Sequence, residues 1–337
     1  MSQRERRGLR EFSAASEGRG PSATNRVRAT SPVLAEGVER FIFGDVFAEP
    51  GLSARERELI TVAVLAALGG ADNQLGVHVP AALACGADPD ELVRLCEQIA
   101  PYAGFPRALN ALRIVRDAIE EHGLPLPVAP REASLDDHLT RVADSEGDGV
   151  PLLLIHPLGL DHQAWRDTIH ALGGRRRAIA PDLRGAGGAA GAPPAESVEQ
   201  IVQDLITILV TSGVDRADIV SAAGYGLPAQ LLFQRPDLVG SVTIVMTGPT
   251  SLPAPPSVQP MTAWFSAEEL AEDGWPVRYA RDRLRRRDPD GWGALTRLIE
   301  IAEPDPASFE GRPFRVVHKG PMPLLTSPDT LAEELIA

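Results

Sequence analysis

His78 and Gln74 are residues whose types and spacing could do chemistry in the first half of this chain. They lie four positions apart in a segment with helical periodicity, and positions four apart share one face of a helix. An imidazole gains and loses a proton near neutral pH, whereas a carboxamide only donates and accepts hydrogen bonds. On spacing alone, a histidine satisfied at a helix interface is the favoured reading of His78, and a site for proton transfer is the alternative.

A second stretch, ADIVSAAGYGLPAQ at residues 217–230, predicts a strand, a glycine-rich turn and a helix. A turn of this kind presents the nucleophilic serine of the G-x-S-x-G motif. Counting forward from GVDRADIV places the expected serine at Ala223, and counting back from FQRPDLV places it at Ala222. Both positions hold alanine, whose side chain has no nucleophilic atom. Ser221 lies one or two positions too early and would face a different way, so serine chemistry here is the least favoured reading.

The elements that position His78 are predicted to be helices, because residues 34–123 show helical periodicity. Ser53 and Glu56 form a capping box before the apolar run LITVAVLAALGG. Gly69 and Gly123 are typical of helix ends. We expect an all-α domain over this range.

The pattern changes after residues 124–134, whose prolines are typical of a semi-rigid linker. Residues 135–337 alternate short apolar runs such as VPLLLIHPLG and GSVTIVMTG with helical segments such as VEQIVQDLITILVTSG. Buried strands that alternate with helices predict a mostly parallel α/β sheet. Residues 1–32 are rich in Arg, Ser and Gly and poor in large apolar side chains, which predicts a disordered tail.

Composition excludes several kinds of partner. The chain has 337 residues, enough for two domains, and a net charge of −13, whereas nucleic acids and anionic membranes attract positive charge. Its longest apolar run is about half of what spans a bilayer. Cys85 and Cys96 lack metal-ligand or CxxC spacing and are typical of core thiols in a reducing compartment. With no apolar leader segment, we expect a cytoplasmic protein without nucleic-acid or membrane partners.

Five stretches of the helical half resemble, in order, the carboxymuconolactone decarboxylase family: GDVF…PGLS, RERELITVAVLAALG, LGVHVPAAL, DELVRLCEQ and YAGFPRALNAL. The superfamily also includes alkylhydroperoxidase D-like proteins, but the CxxC required for their thiol chemistry is absent from ADNQLGVH. The resemblance implies a carboxy-lyase that acts on a small carboxylated lactone without a metal or organic cofactor. It also implies a homo-oligomer, because members of the family form rings.

The same resemblance gives candidate roles to individual residues of the helical half. His78 matches the acid/base histidine of the family, and Gln74 stands where the family usually has a glutamate. Glu58, on the preceding helix, is then the best carboxylate to support His78. Tyr102 could line the same pocket, and Arg57 could bind a substrate carboxylate.

The second half resembles α/β-hydrolases, and among them 3-oxoadipate enol-lactonases, in LLLIHPLGLDHQAW, IAPDLRGAGG and GVDRADIVSAAGYGLPAQLLFQRPDLVGSVTIV. The resemblance places the nucleophile at Ala222 or Ala223 and the catalytic acid at Met322, and the chain ends before a last strand and a catalytic histidine would follow. If the segment around FRVVH is instead the final strand, the histidine position falls at about Pro321. All three triad positions are lost, which predicts a pseudo-hydrolase with an incomplete sheet. Three further histidines lack ligand spacing and are interpreted as structural or surface residues: His156, His162 and His318.

These observations together predict an N-terminal all-α domain followed by a C-terminal α/β domain. Enol-lactonases of the resembled type act directly after the decarboxylase in aromatic catabolism, so each assignment supports the other. The favoured hypothesis is decarboxylation, or proton transfer on an enolisable cyclic substrate, in the helical domain. A non-catalytic binding or scaffold protein is the alternative, because Gln74 and Glu49 both depart from the family, Glu49 standing where an arginine is expected after GDVF. An esterase or lactonase that uses Ser221 is the third reading.

Overall fold

The computed structural model describes residues 20–124, 126–222, 226–246, 265–286, 313–318 and 328–336, and the single residues Arg6, Leu9, Arg10, Ser13 and Leu298. The chain divides into two units, Met1–Pro127 and Val128–Ala337. We call them the helical unit and the α/β unit.

Helices account for the described secondary structure of the first unit, as the periodicity predicts. Its elements are α1 (Gly20–Thr30), α2 (Pro32–Glu36), a π-helical segment (Gly37–Val46), α3 (Ala54–Leu68), α4 (Asp72–Ala84), α5 (Pro89–Ala103) and α6 (Phe105–Glu121). The inner faces of α3 to α6 form one core, whose fully buried members include Val62, Val79, Leu92, Val115 and Ile119. Cys96 belongs to this core, and burial raises the pKa of its thiol to about 11, as expected of an unreactive packing residue.

The start of α3 is fixed by the predicted capping box. The hydroxyl of Ser53 accepts a hydrogen bond from the Glu56 N–H at 3.2 Å, and the Glu56 carboxylate accepts one from the Ser53 N–H at 2.7 Å. These two bonds satisfy backbone donors that a helix start leaves unpaired. Glu58, two residues further on, is thereby held at the beginning of the helix with a defined direction.

Residues 20–30 are helical in the structure, whereas the sequence predicted a disordered tail to residue 32. The difference has a physical cause in Glu39, a buried carboxylate of the π-helical segment. Glu39 accepts a hydrogen bond from the Thr24 hydroxyl at 2.9 Å and pairs with Arg28. A buried carboxylate needs such partners, and they hold α1 against the segment.

The α/β unit contains seven described strands and six described α-helices. They are β1 (Arg131–Ser134), β2 (Leu139–Asp144), β3 (Leu152–Ile155), α7 (Arg166–Leu172), β4 (Ala178–Pro181), α8 (Val198–Thr211), β5 (Ala217–Ser221), α9 (Gly226–Gln234), β6 (Val239–Met246), α10 (Ala267–Glu272), α11 (Trp275–Arg286), β7 (Phe314–His318) and α12 (Pro328–Ile336). Two short 3₁₀ turns, His162–Trp165 and Gly187–Ala189, interrupt the loops. No helix among the described ranges is long and apolar enough to cross a membrane.

The strands form one sheet in the order β1-β2-β4-β3-β5-β6-β7. The β1–β2 and β2–β4 pairs are antiparallel, and the other neighbouring strands are parallel. Both faces of the sheet are covered: Leu152 and Leu154 of β3 belong to one buried cluster, and Leu153 and Ile155 belong to another. This explains the continuous apolar run LLLI, and it confirms the predicted mostly parallel α/β class.

Residues 131–134 form the edge strand β1, whereas the sequence predicted that they close the linker. The strand pairs with β2 along four residues and buries Ala133 in the core. Arg131 also pairs with Asp144 of β2 at 3.5 Å. These ladder bonds and side-chain contacts outweigh the proline-rich context of the preceding residues.

Asp182 joins three loops at the carboxyl end of β4. One of its carboxylate oxygens accepts hydrogen bonds from the backbone N–H of His162 at 2.8 Å and from the same residue's ring Nδ1 at 2.7 Å. The other oxygen accepts one from the Gly188 N–H at 2.6 Å. The Asp182 backbone carbonyl accepts a fourth from the Thr140 hydroxyl at 2.8 Å. The loops around this end of the sheet therefore depend on one buried carboxylate.

A Gly187→Ala substitution should destabilise the α/β unit by about 1–3 kcal/mol. Gly187 has φ +46°, and an added Cβ would meet the Asp182 carboxylate at 2.3 Å. All four tryptophans lie in the α/β unit, so urea unfolding followed by tryptophan fluorescence reports this unit selectively. The control is Gly191→Ala, an exposed position with no atom within 4 Å, which should change stability by less than about 0.5 kcal/mol. Equal effects at the two positions would contradict the role given to Asp182.

Candidate active site

Glu58 and His78 meet between two packed helices of the helical unit. Glu58 lies near the start of α3 and His78 lies in the middle of α4. A Glu58 Oε2 atom lies 2.8 Å from His78 Nδ1. The exposed fraction is 2% for the Glu58 side chain and 30% for the His78 side chain. The carboxylate is thus the buried end of the pair, and the imidazole is the end that solvent reaches.

This geometry assigns different jobs to the two ring nitrogens. A buried carboxylate accepts hydrogen bonds, so Nδ1 carries the proton that points to Glu58. Nε2 is then the atom through which the ring can take up or release a proton. Glu58 also fixes the rotation of the imidazole, as a carboxylate does for a catalytic histidine. The pair can therefore act as a positioned general acid or base.

Gln74 lies on α4, one turn before His78, and its side chain is exposed. The hydrogen bond to the imidazole comes from Glu58 on the neighbouring helix and not from Gln74. A contact between residues 20 positions apart has no local sequence pattern. The resemblance drew attention to Gln74, which stands at the family's glutamate position, and named Glu58 as the remaining carboxylate candidate; the structure places Glu58 against the imidazole.

The side chain of Arg57 is hydrogen-bonded to the loop that precedes α3. Its guanidinium donates to the backbone carbonyls of Glu49 at 2.6 Å and Leu52 at 3.2 Å, and it lies 5.6 Å from the centre of the Phe47 ring. These contacts hold the loop in place. Tyr102 is at the end of α5, and its side chain is strongly exposed.

The positions to which the resemblance assigned the hydrolase nucleophile lie at the end of β5 and directly after it. Ala222 is buried, and its N–H donates to the Ile155 carbonyl at 2.9 Å. Ser221 is the last residue of β5 and is fully buried, so its hydroxyl is not presented to a substrate. Ala223 and Met322 lie outside the described residues.

His156 is a structural link between the ends of β3 and β4. Its Nδ1 donates to the Pro157 carbonyl at 2.9 Å, and its Nε2 accepts from the Leu183 N–H at 3.0 Å. Burial lowers the pKa of His156, in keeping with a neutral ring that uses both nitrogens. His318 lies in β7 and its side chain is outside the description.

Asp161, His162 and Asp182 bring potential metal-ligating atoms within 4.8 Å of one another. Their hydrogen bonds indicate a structural junction, because protein groups already occupy the carboxylates. Asp161 accepts from the Tyr279 hydroxyl at 2.6 Å and from the Gln163 N–H at 3.0 Å, and it pairs with Arg283 at 3.0 Å. A cation would have to displace these donors and lie beside the charge of the arginine.

Sequence reasoning missed the helix that closes this junction. Trp275, Tyr279 and Arg283 recur every fourth residue on α11, so they share one face. Tyr279 and Arg283 contact Asp161, while the Trp275 ring lies 3.6 Å below the guanidinium carbon of Arg166. The sequence did contain an indication of this helix: in WPVRYARDRLRR, two aromatic residues and an arginine are spaced four residues apart, which predicts a helix face that contacts the rest of the unit.

Comparison with known proteins places the helical unit in a family. The carboxymuconolactone decarboxylase family model matches residues 32–117. Over 99 residues the chain is 34% identical to the 4-carboxymuconolactone decarboxylase of Acinetobacter baylyi, a match that covers 29% of this chain and 70% of that protein. It is 31% identical over 91 residues to an uncharacterised 15.0 kDa protein of Paracoccus denitrificans, covering 27% and 68% of the two chains.

A solved structure resembles the other part of the chain. The enol-lactonase of Burkholderia xenovorans LB400 matches with a TM-score of 0.50 and 18% identity, over 61% of this chain and 98% of that chain. At this identity the match shows a shared fold alone, which is the α/β-hydrolase fold predicted from the sequence. On the evidence of its helical unit and the two relatives, the chain belongs to the carboxymuconolactone decarboxylase family.

Proposed function

We propose that the helical unit decarboxylates a small carboxylated lactone, or moves a proton on a related enolisable ring, with His78 as the acid/base residue. The observation that carries the proposal is the 2.8 Å hydrogen bond between Glu58 and His78, with the carboxylate buried and the imidazole partly exposed. The 34% sequence identity to a 4-carboxymuconolactone decarboxylase supports a carboxylated lactone as the class of substrate. The reaction belongs to the metabolism of aromatic compounds.

The proposed reaction needs one positioned proton donor and no cofactor. When the carbon–carbon bond to the carboxylate breaks, CO₂ leaves and the bonding electrons spread over the conjugated lactone as an enolate. Protonated His78 then donates the proton on Nε2 to a carbon of the lactone ring. The proton on Nδ1 stays on the imidazole, in its hydrogen bond to the Glu58 carboxylate. Water restores the lost proton for the next cycle.

Glu58 is a positioning residue in this scheme, because it acts on the substrate only through His78. Its carboxylate accepts a hydrogen bond from Nδ1 and so holds the ring in one rotation, with Nε2 on the other side. Gln74, on the exposed side of α4, is proposed to contact the substrate at the rim of the site, as are Arg57 and Tyr102. To bind a substrate carboxylate, Arg57 would use guanidinium N–H groups that are not donated to the loop before α3, or would give up its hydrogen bonds to that loop.

We further propose that the α/β unit is not catalytic and that the chain is a cytoplasmic homo-oligomer assembled through the helical unit. Alanine at Ala222 and the engagement of both ring nitrogens of His156 support loss of hydrolase chemistry. The many large apolar side chains exposed on the helical unit support self-association.

A His78→Gln substitution should lower kcat by about 10²- to 10⁴-fold, the usual contribution of a general acid. The assay uses the full chain with 4-carboxymuconolactone and follows CO₂ release and ultraviolet absorbance. His122→Gln is the matched control, because this exposed histidine lies at the end of α6 in the same unit and should leave kcat unchanged. Equal turnover by the intact protein and His78→Gln would remove His78 from the mechanism. Absence of turnover in the intact protein would instead favour a binding or scaffold role.

A Glu58→Gln substitution should lower kcat by about 10- to 100-fold with a smaller change in KM, because the uncharged side chain still fills the site but supports the imidazolium less well. Gln74→Ala should mainly raise KM, since its exposed side chain lies at the rim. Steady-state kinetics of both variants, with melting curves to verify folding, separates the two roles. The positioning role of Glu58 fails if its variant changes KM alone.

A further inference from the structure

The ring of His162 lies in the 3₁₀ turn that follows β3, with one nitrogen bonded and the other open. Its Nδ1 atom lies 2.7 Å from a carboxylate oxygen of Asp182, which is itself buried. Its Nε2 atom is enclosed and has no hydrogen-bond partner among the described residues, although only 5% of the side chain is exposed. Buried polar atoms in folded proteins nearly always have a partner. An open ring nitrogen at this depth therefore points to a ligand.

Two further buried donors follow His162 on successive turns of the chain. Residues three apart in a 3₁₀ turn point in the same direction, so Trp165 lies on the same side as His162. Thr168 lies one turn later, in α7. The indole Nε1 atom of Trp165 and the hydroxyl of Thr168 are buried and also lack hydrogen-bond partners in the described part of the chain. An indole N–H can only donate, and a hydroxyl can donate, so these groups suit a ligand that accepts hydrogen bonds.

The charges around the His162 ring also favour an acceptor over a cation. Asp161 and Asp182, the two carboxylates beside the ring, already accept hydrogen bonds from protein groups. Arg283 of α11 and the neutral ring of His156 face the same place. Burial alone lowers the pKa of His162, but the hydrogen bond and charge of Asp182, with the charge of Asp161, outweigh burial and raise it above its ordinary value. The protonated ring carries a proton on Nε2, which makes this atom a donor.

The position and surroundings of these donors indicate an organic ligand. The carboxyl ends of parallel strands are where open α/β sheets bind their ligands, and His162 joins the ends of β3 and β4 through Asp182. The Trp165 ring belongs to the same apolar cluster as Val220 and Phe265, so hydrocarbon surrounds the polar atoms. A 3₁₀ turn rises about 2 Å per residue, which separates His162 from Trp165 by about 6 Å along the turn. A carboxylate with a second oxygen and an apolar body fits this arrangement.

We propose that the α/β unit binds a small organic carboxylate that carries a second oxygen acceptor. The carboxylate accepts a hydrogen bond from Nε2 of His162, and the second oxygen accepts one from the indole N–H of Trp165, with the Thr168 hydroxyl as a further donor. Asp182 holds the imidazole in the required rotation. The inference goes beyond the proposed function, because it assigns a ligand to the unit for which no chemistry is proposed. Its test measures binding and not turnover, so failure of the decarboxylase proposal leaves it untouched.

The first experiment titrates levulinate, which has a carboxylate and a ketone oxygen, into the full chain by calorimetry at about pH 6. The chain carries His78→Gln, so that the imidazole of the helical unit does not contribute. Levulinate should bind at one site, and adding His162→Gln should raise Kd by about 10- to 100-fold, because a charge-assisted hydrogen bond is lost. His170→Gln is the matched control, because His170 is exposed on α7 and should leave Kd unchanged. Absence of saturable binding, or equal Kd values for His162→Gln and the control, overturns the proposal.

Two further titrations test the indole and the kind of ligand. Trp165→Phe removes one neutral donor and should raise the Kd of levulinate by about 3- to 10-fold, with melting curves to verify folding. An unchanged Kd would remove the indole from the site. Zn²⁺ is the probe for the opposite reading, and any binding of Zn²⁺ should be the same with and without His162→Gln. Loss of Zn²⁺ binding in this variant would assign the ring to a cation and overturn the proposal.

The dependence of binding on pH tests the charge of the ring and decides the matter if His162→Gln fails to fold by circular dichroism. A carboxylate binds the protonated ring, so affinity should be full below the pKa of His162 and above the pKa of about 4 of the ligand itself. Above the pKa of His162, affinity should fall by up to about tenfold per pH unit. Methyl levulinate has a similar shape without the charge, so it should bind more weakly and without this fall. Levulinate binding that is independent of pH, or that equals the binding of the ester, overturns the proposal.

Discussion

A buried carboxylate places the strongest constraint on the helical unit. Glu58 is almost fully enclosed, and a carboxylate without partners in such a place would cost several kcal/mol. His78 meets this need at 2.8 Å, which fixes the distance between α3 and α4 and the rotation of the imidazole together. One interaction thus joins the packing of the unit to its candidate chemistry. The capping box at Ser53 and Glu56 supports it by fixing where α3 begins.

Local patterns in the sequence predicted the elements well and the long-range contacts poorly. The capping box, the helical half and the run LLLI are local or periodic features, and the structure confirms the all-α and α/β classes they indicated. The helix over residues 20–30 escaped prediction because its stability depends on Glu39, which follows it in the sequence. The same reason applies to β1, whose partner strand and buried Ala133 outweigh the prolines before it. At the candidate site, the resemblance named Gln74 on the same helix and Glu58 on the preceding helix, and the imidazole contacts Glu58.

In the α/β unit, two buried carboxylates organise the loops at the carboxyl ends of the parallel strands. Asp182 ties the loops after β3 and β4 and the turn at Gly188 to one carboxylate, and Asp161 ties α11 to the same region. These contacts use polar groups at the carboxyl ends of the strands, where ligands of open α/β sheets normally bind. At this edge the carboxylates of Asp161 and Asp182 accept hydrogen bonds from other protein groups. The Nε2 atom of His162, in contrast, is buried without a hydrogen-bond partner among the described residues.

The dipeptide His156–Pro157 has a consequence for any attempt to introduce hydrolase activity by protein engineering. Proline has no N–H, so Pro157, the second residue after β3, cannot stabilise a developing oxyanion through its backbone. The ring of His156 donates a hydrogen bond to the Pro157 carbonyl and accepts one from the Leu183 N–H. Replacement of His156 would therefore remove both hydrogen bonds. A serine introduced at Ala222 would therefore lack the N–H donor that position 157 could otherwise supply from the loop after β3. Hydrolase activity would require changes in this loop as well as a new nucleophile.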